Sequence, residues 1–338
     1  MKSRIVSEVD FDAPGKHSGA LRLFHSVHRS AYGFIPIPVG VIHGGMINGD
    51  PGPTALLVAG NHGDEWEGQV ALTELFQQLQ PSDVRGRIII MPALNLPASR
   101  ASTRTSPLDG GNLNRLFPGR IDGSVTEEIA HYVATELIPM ADLVCDLHSG
   151  GSSLMYVPCA LATQHADPAR LAATVAALRA FGAPHAYLQG RAEGQGGLRT
   201  LGAMAETRGT LSIATELCGA GTVTPAALHV ARRGLRGLLA HAGLMAPPPE
   251  RPGDTRIVTV GDAANWTYAP TAGVFEPLAL PGDDVLAGQP AARLHTPETP
   301  WLPPTEVAFA RDGLVLCRRH PGRAEPGDCL FGLGQDWS

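Results

Sequence analysis

The chain has 338 residues, of which 43% are apolar and 17% are charged, a composition typical of a folded globular protein rather than a disordered one. Its net charge of −6 is modest and spread along the sequence, which argues against nucleic-acid binding and against attraction to a membrane surface. No apolar stretch approaches the roughly 20 residues of a membrane span, and no signal-peptide core is visible near the N-terminus.

The predicted elements alternate through most of the chain. Residues 1–50 are expected to be an irregular lead-in with short strands, because the prolines of 35–39 disfavour a central strand. Apolar runs then alternate with helical patterns, one of which opens with a capping box at Ser124 and Glu127. This order predicts an α/β fold with a mostly parallel or mixed sheet flanked by helices. The predicted strands are 54–59, 87–93, 143–147 and 211–217, and the predicted helices are 65–79, 124–137, 168–181 and 225–241.

A proline-rich segment, residues 246–253, interrupts this alternation and is predicted to be a linker. Residues 254–338 have short strand patterns with Pro-Gly-Asp turns and no helical pattern, which predicts a small all-β domain. We therefore expect a catalytic domain over residues 1–245, the linker, and a C-terminal β domain over 254–338.

Two polar, glycine-rich fragments follow predicted strands. One contains His62 and Glu65, whose spacing of three lets a turn at the start of a helix point both side chains the same way. The other contains His148, at the end of a separate strand. Sites in open α/β sheets gather at the carboxyl ends of strands, and two imidazoles with a carboxylate are a ligand set typical of hydrolytic zinc sites. The competing interpretation is structural, since a single His-x-x-Glu is usually not a metal site.

Five cysteines form no Cys-x-x-Cys pair, which predicts buried, reduced thiols in a cytoplasmic protein. Cys145 and Cys218 are close in sequence to the candidate site, but each lies in an apolar strand pattern. A catalytic thiol is therefore the less favoured alternative.

Four ordered blocks of sequence resemble the succinylglutamate desuccinylase/aspartoacylase family. The blocks are Gly60-Asn61-His62-Gly63-Asp64-Glu65, Asn112-Leu113-Asn114-Arg115, Asp146-Leu147-His148 and Thr215-Glu216. The resemblance extends from about residue 35 to about residue 335. It implies a zinc-dependent amidohydrolase with a carboxypeptidase-like fold, one Zn²⁺ per chain, and a C-terminal barrel-sandwich extension. Further strings at 92–98, 106–115 and 222–225 are similar to the ectoine-degradation branch, whose members remove acetyl from Nα-acetyl-L-2,4-diaminobutyrate.

The resemblance also implies roles for four other residues. Glu216 matches the catalytic glutamate of the family, and Arg104 is the candidate for the arginine that stabilises the transition state. Asn114 and Arg115 match the pair that binds the substrate α-carboxylate, a task that suits the planar fork of arginine. The alternative for Glu216 is a salt bridge or a cap, and for Asn114 and Arg115 it is hydrogen bonding within the loop.

Asp146 is expected to face away from His148 and to orient His62 as a hydrogen-bond acceptor, although a buried structural carboxylate is an alternative. The ammonium group of diaminobutyrate would need a carboxylate partner. Asp109, Glu67 and Glu193 are unranked candidates. Lipoyl-like relatives of the β extension carry a lysine that can be modified to form a swinging arm. The only lysines here are Lys2 and Lys16, so residues 254–338 are not expected to carry such an arm.

The leading hypothesis is a zinc-dependent deacetylase of Nα-acetyl-L-2,4-diaminobutyrate. The alternatives are a deacylase of acetyl-aspartate or succinyl-glutamate, a zinc carboxypeptidase, and an inactive protein that keeps the metal and binds a ligand. The expected partner is a small N-acyl amino acid, without nucleic acid or membrane. A homo-oligomer is compatible with the sequence.

Overall fold

The computed structural model describes residues 3–26, 28, 32–45, 49–190, 199–248 and 253–337. The helices in this part are α1 (Glu67–Gln78), α2 (Leu96–Ala101), α3 (Val125–Tyr132), α4 (Pro168–Phe181), α5 (Leu201–Thr207) and α6 (Pro225–His241). The strands up to the last helix are β1 (Ile5–Ser7), β2 (Gly15–Phe24), β3 (Phe34–His43), β4 (Thr54–Ala59), β5 (Arg87–Met91), β6 (Leu143–His148), β7 (Leu154–Tyr156), β8 (Cys159–Thr163), β9 (His185–Gln189) and β10 (Leu211–Glu216). The remaining strands are β11 (Arg256–Val260), β12 (Trp266–Tyr268), β13 (Gly273–Pro277), β14 (Asp284–Val285), β15 (Pro290–His295), β16 (Thr305–Ala308), β17 (Gly313–Arg319), β18 (Arg323–Ala324) and β19 (Cys329–Asp336).

A single mixed sheet forms the framework, in the order β1-β2-β3-β5-β4-β6-β10-β8-β9-β11-β19-β17-β14. Its centre is parallel, because β4 pairs in parallel with β5 and β6, and β6 pairs in parallel with β10. β8 then runs antiparallel to β10. This architecture, with helices against the sheet and a separate four-stranded antiparallel sheet β16-β15-β13-β18, confirms the predicted α/β fold class.

Alternate residues of the central strands face two apolar cores, as expected of strands covered on both sides. On β4, Ala55, Leu57 and Ala59 pack into the core that holds α1, α4 and α6. Leu56 and Val58 pack into the opposite core with α3 and α5. The helices 168–181 and 225–241 and the strand 54–59 have their predicted bounds, and Ser124 and Glu127 form the predicted capping box.

The prediction of an irregular lead-in with short strands before residue 50 fits β1, which has three residues, but is wrong for β2 and β3. β2 and β3 are each ten residues long and pair antiparallel along their whole length. The prolines are tolerated because β5 pairs with β3 only from Gly40 to His43. Pro36 and Pro38 therefore lie where β3 has β2 on one side and no ladder with β5 on the other, a position that does not require an N–H.

The C-terminal strands adjoin the main sheet. β11 pairs in parallel with β9, and β19 extends the same sheet from β11. β7, which follows the His148 fragment, pairs with β17. The division of the chain at 246–253 stays a prediction, and residues 249–252 lie outside the described part. Among the described residues, no helix is long and apolar enough to cross a membrane.

Candidate active site

The site lies at the carboxyl ends of three neighbouring parallel strands, β4, β6 and β10. His148 ends β6 and is the register partner of Glu216, which ends β10. His62 and Glu65 lie in the turn between β4 and α1. Gly63 lets this turn pass close to α2, because an added Cβ would lie 2.0 Å from the carbonyl carbon of Ala98. The strand-end argument from the sequence therefore predicts the position of the site.

The three predicted metal ligands converge in a buried cluster. The carboxylate of Glu65 lies between the imidazoles, with Oε1 at 2.8 Å from Nδ1 of His62 and Oε2 at 2.7 Å from Nδ1 of His148. One donor atom from each of the three residues lies within 4.8 Å of the others. All three side chains are buried. The structure thus brings His148 against a carboxylate that lies 83 residues earlier in the sequence.

The hydrogen-bond partners of Nε2 indicate which nitrogen of each imidazole carries the proton. Nε2 of His62 lies 3.1 Å from the acceptor Oδ1 of Asn112. Nε2 of His148 lies 2.8 Å from the carboxylate oxygen Oδ2 of Asp146 and 3.0 Å from Nδ2 of Asn114, and the carboxylate, the stronger partner, favours a proton on this nitrogen. In a neutral imidazole, this leaves the lone pair of each Nδ1 facing an oxygen of Glu65. Two acceptors this close repel each other unless a proton or a cation lies between them. The donor set therefore fits a divalent cation, and zinc favours such nitrogen and oxygen ligands.

Electrostatics support the same conclusion. Burial raises the pKa of Glu65, but the facing imidazoles of His148 and His62 outweigh burial and hold the pKa below its ordinary value. Burial lowers the pKa of His148, but the carboxylates of Asp146 and Glu65 raise it well above its ordinary value. The cluster thus stabilises positive charge at its centre, as protons in the absence of metal.

Asp146 has a different partner from the predicted one. Its Oδ2 accepts hydrogen bonds from Nε2 of His148 and from Nδ2 of Asn61, at 2.8 and 2.9 Å. The expectation that it faces away from His148 and orients His62 is wrong, because residues two apart on a strand share a face. Asn112, to which no role was assigned, accepts the hydrogen bond from His62.

Glu216 faces the cavity beside this cluster. Its Oε2 is buried without a hydrogen-bond partner. Burial, and next the negative charge of Glu65, raise the pKa of Glu216 to about 8. A carboxylate with an unpartnered oxygen and a raised pKa is suited to accept a proton.

Two guanidinium groups, those of Arg104 and Arg115, also line the cavity. Arg104 donates to Oε1 of Glu65 at 3.2 Å, and 44% of its side chain remains accessible. Arg115 donates to the backbone oxygen of Asn114 at 2.7 Å, and burial followed by the charge of Arg104 lowers its pKa. The amide of Asn114 is engaged within the protein, since its Oδ1 accepts from the backbone N–H of Leu201 at 2.8 Å.

The eight side chains that the sequence predicts as metal ligands, catalytic groups, carboxylate-binding groups or the supporting aspartate all line one cavity of about 630 Å³. Two tyrosines that the sequence did not indicate, Tyr156 and Tyr187, also line it. Burial raises the pKa of both well above the ordinary value, so they present neutral hydroxyl groups. These tyrosines belong to β7 and β9, strands that no motif marks.

Two of the three candidates for an ammonium partner are located in the described structure. Asp109 accepts hydrogen bonds from the backbone N–H and the hydroxyl of Thr126, at 2.7 and 2.8 Å, and thereby fixes the start of α3. Glu67 is fully buried and does not line the cavity. Glu193 lies outside the described residues.

The five cysteines are free, and burial raises the pKa of Cys145 and Cys218, so neither is an activated thiol.

The chain is similar to known proteins over most of its length. Residues 51–242 match the model of the succinylglutamate desuccinylase/aspartoacylase catalytic domain. The chain is 41% identical to the N-alpha-acetyl-L-2,4-diaminobutyric acid deacetylase of Halomonas elongata, over 97% of this chain and 94% of that protein.

Solved structures are similar over nearly the full length. The product-bound ectoine utilization protein EutE (DoeB) of Ruegeria pomeroyi has a TM-score of 0.93 at 41% identity, covering 99% of each chain. A succinylglutamate desuccinylase/aspartoacylase of Rhodobacter sphaeroides has a TM-score of 0.93 at 37% identity, covering 99% of this chain and 100% of that one. The chain therefore belongs to the succinylglutamate desuccinylase/aspartoacylase family and is an amidohydrolase, as its sequence predicts.

Proposed function

We propose that this protein hydrolyses the amide bond of Nα-acetyl-L-2,4-diaminobutyrate, releasing acetate and 2,4-diaminobutyrate, with one zinc ion bound per chain. The similarity to the Halomonas deacetylase supports the substrate. The observation that carries the chemistry is the position of Glu216, an unpartnered carboxylate in the same cavity as a His-Glu-His cluster that fits a cation.

His62, Glu65 and His148 would hold the zinc ion through the Nδ1 atoms and the carboxylate that already face one another. When bound, the ion supplies a Lewis acid that lowers the pKa of water towards roughly 7. Asp146 and Asn112 hold the two imidazoles in the tautomer that leaves each Nδ1 free for the ion.

Glu216 would remove a proton from the attacking water and deliver it to the amide nitrogen that leaves. In the overall reaction water adds its oxygen to the acetyl carbon, the C–N bond breaks, and acetate and the amine form. In the metal-free site, burial and the charge of Glu65 raise the pKa of Glu216 and favour its protonated form, which suits the return of a proton to the amine. The positive charge of a bound ion would favour the carboxylate that accepts the proton from water.

Arg104 would stabilise the negative charge that develops on the carbonyl oxygen, because its guanidinium lies in the cavity next to Glu65. Arg115 would bind the α-carboxylate. Asn114 would contact the α-carboxylate and would also position the loop, because its amide oxygen already accepts a hydrogen bond from the backbone N–H of Leu201.

A direct test is to incubate zinc-loaded protein with Nα-acetyl-L-2,4-diaminobutyrate and to measure the release of acetate. Acetyl-aspartate, succinyl-glutamate and a blocked dipeptide are assayed in parallel. Hydrolysis of one of these three compounds, without hydrolysis of Nα-acetyl-L-2,4-diaminobutyrate, would reject the proposed substrate but support the proposed amidohydrolase reaction. Absence of hydrolysis with all four would favour the metal-keeping binding protein.

A further inference from the structure

The strands that form the floor of the cavity place its side chains in a defined order. His148 on β6 is the register partner of Glu216 on β10. Ala214, two residues before Glu216, faces Leu161 on β8, and Leu161 is in turn the register partner of Tyr187 on β9. Register partners, and residues two apart on one strand, share a face, and all five of these side chains line the cavity. Neighbouring strands lie about 4.8 Å apart, so β9 is about 10 Å from β10.

The atoms of the proposed substrate follow the same order. When its carbonyl carbon lies at the His62–Glu65–His148 cluster, its amide nitrogen lies towards Glu216, which delivers the proton to it. Five bonds of about 1.5 Å separate the carbonyl carbon from the side-chain ammonium nitrogen, and they span about 6 Å when extended. The partner of the ammonium group must therefore reach the immediate surroundings of Glu216.

The other charged groups of the substrate are assigned to the β6 side of Glu216. Arg104, the candidate for the carbonyl oxygen, donates to Oε1 of Glu65 at 3.2 Å. Nδ2 of Asn114, the candidate for the α-carboxylate, lies 3.0 Å from Nε2 of His148. The side chain leaves Cα by a different bond from the α-carboxylate, and the free space on the other side of Glu216 lies over β8 and β9.

Tyr187 projects into this space from β9. A tyrosine side chain is about 6 Å long, so a hydroxyl group directed towards β10 comes within about 4 Å of the strand that carries Glu216. The electrostatics agree with this direction, because burial, and next the negative charge of Glu216, raise the pKa of Tyr187 well above its ordinary value. Tyr187 therefore presents a neutral hydroxyl group beside the proposed base.

This hydroxyl group is available to a ligand. Within the described part of the chain, the side chain of Tyr187 has no hydrogen-bond partner, although it lines the cavity. The other cavity tyrosine differs, since the hydroxyl of Tyr156 is hydrogen-bonded to the thiol of Cys317, its register partner on β17. A phenol oxygen accepts hydrogen bonds, and the face of the ring attracts a cation.

A neutral partner for the ammonium group suits this position. Glu65, Asp146 and Glu216 already supply negative charge around the reacting groups, and a further carboxylate would be repelled by them. We propose that Tyr187 is a specificity-determining residue that binds the side-chain ammonium group of the substrate through its hydroxyl oxygen and the face of its ring; this inference rests on the proposed function. It gives to a phenol the task for which the sequence suggests a carboxylate.

The test compares two substrates of nearly equal shape. Nα-acetyl-L-2,4-diaminobutyrate ends in an ammonium group, and Nα-acetyl-L-norvaline has a methyl group in its place. The zinc-loaded parent is expected to prefer the first. Tyr187→Phe keeps the ring and removes the hydroxyl group, so it is expected to lower kcat/KM for the first about 10- to 100-fold, mostly through KM. The value for the norvaline compound should stay within about twofold.

Two further variants serve as controls. Tyr156→Phe removes the hydroxyl group that is already bonded to Cys317, and is expected to leave the preference between the two substrates unchanged. Tyr268→Phe removes a hydroxyl group from an exposed tyrosine that does not line the cavity, and is expected to change neither substrate. Zinc content and Tm are measured for each variant, so that loss of metal or of folded protein is recognised.

The outcomes separate the two proposals. An unchanged substrate preference in Tyr187→Phe, or equal losses on both substrates, would overturn the role of Tyr187. A parent that hydrolyses neither compound would reject the proposed function instead. Binding of free 2,4-diaminobutyrate and of norvaline, measured by calorimetry, then tests Tyr187 without catalysis. Weaker binding of diaminobutyrate alone in Tyr187→Phe supports the assignment, whereas unchanged binding, or no binding to the parent, overturns it.

Discussion

The end of the cavity formed by His62, Glu65 and His148 is called the metal end. There the carboxylate of Glu65 is contacted by two imidazoles, the guanidinium of Arg104 and the backbone N–H of Ser149. At the other end of the same cavity, which Thr163, Gln189 and Glu206 line, the carboxylate of Glu206 has one ionic neighbour in the described chain, Nε2 of His165 at 3.9 Å. The first arrangement holds its carboxylate from several sides and fits one small cation. The second holds its carboxylate by a single long ion pair. The dense charge network is therefore confined to one end of the cavity.

The largest expected effect comes from removing the cation. Treatment with a chelator is expected to abolish acetate release, and added zinc is expected to restore it in the parent but not in His148→Ala, which lacks one ligand. Elemental analysis should find about one zinc per chain in the parent and a strongly reduced content in the variant. Full activity in protein that contains no metal would contradict the assignment of the metal end.

The next effect is that of the proposed base. Glu216→Gln keeps the shape of the side chain but cannot accept a proton, so kcat should fall roughly 10²- to 10⁴-fold. Because Oε2 of Glu216 has no hydrogen-bond partner and Glu216 acts on the ligand cluster only through its charge, zinc content and Tm in the zinc-loaded state should stay close to those of the parent. A variant that retains its zinc and hydrolyses the substrate at the parental rate would exclude Glu216 as the base.

A smaller effect separates the two ends of the cavity most directly. Asp146→Asn weakens the acceptor that holds Nε2 of His148, and a supporting acceptor of this kind typically changes metal affinity 10- to 100-fold. Glu206→Gln should leave the affinity for zinc unchanged. Competition with a chromophoric chelator measures both variants. Equal losses of affinity would mean that the two ends are not independent.

The part of the site that could be predicted from sequence is the part built from local signals. His62 and Glu65 are three residues apart in one turn, and His148 and Glu216 end strands whose apolar runs are plain. Parallel strands bring their carboxyl ends together, so the convergence follows from the predicted topology. The orientation of Asp146 was available from the same rules, since residues two apart on a strand share a face.

The other end of the cavity, which Thr163, Gln189 and Glu206 line, has no local signal in the sequence. Helix α5 has seven residues and contains Gly202, which weakens a helical pattern. β8 is a five-residue apolar run, Cys159–Thr163, and such a run does not distinguish a strand from a buried helix. That β8 pairs antiparallel with β10, and so carries Thr163 along the cavity, depends on long-range pairing. Side chains that depend on such pairing become candidates only when the fold is known.

The smallest expected effect is a change in how stability depends on pH in metal-free protein. Burial and the charge of Glu65 raise the pKa of Glu216 to about 8, whereas in the unfolded chain it returns to the ordinary value of 4.5. Between these two values the native state holds a proton that the unfolded state lacks. The contribution of Glu216 to the free energy of unfolding is therefore complete below about pH 4.5 and is lost as the pH rises towards about 8.

Glu216→Gln has no such proton, so its free energy of unfolding should decline less steeply over this range than that of the parent. Urea denaturation at intervals from about pH 5 to about pH 9 measures the two slopes, and the expected difference is on the order of a few kcal/mol at most. Glu206→Gln is the matched control, because it removes a carboxylate from the other end of the cavity. Parallel curves for the parent and Glu216→Gln would mean that Glu216 is ionised in the metal-free site, and that the dense charge network of the metal end does not extend to the proposed base.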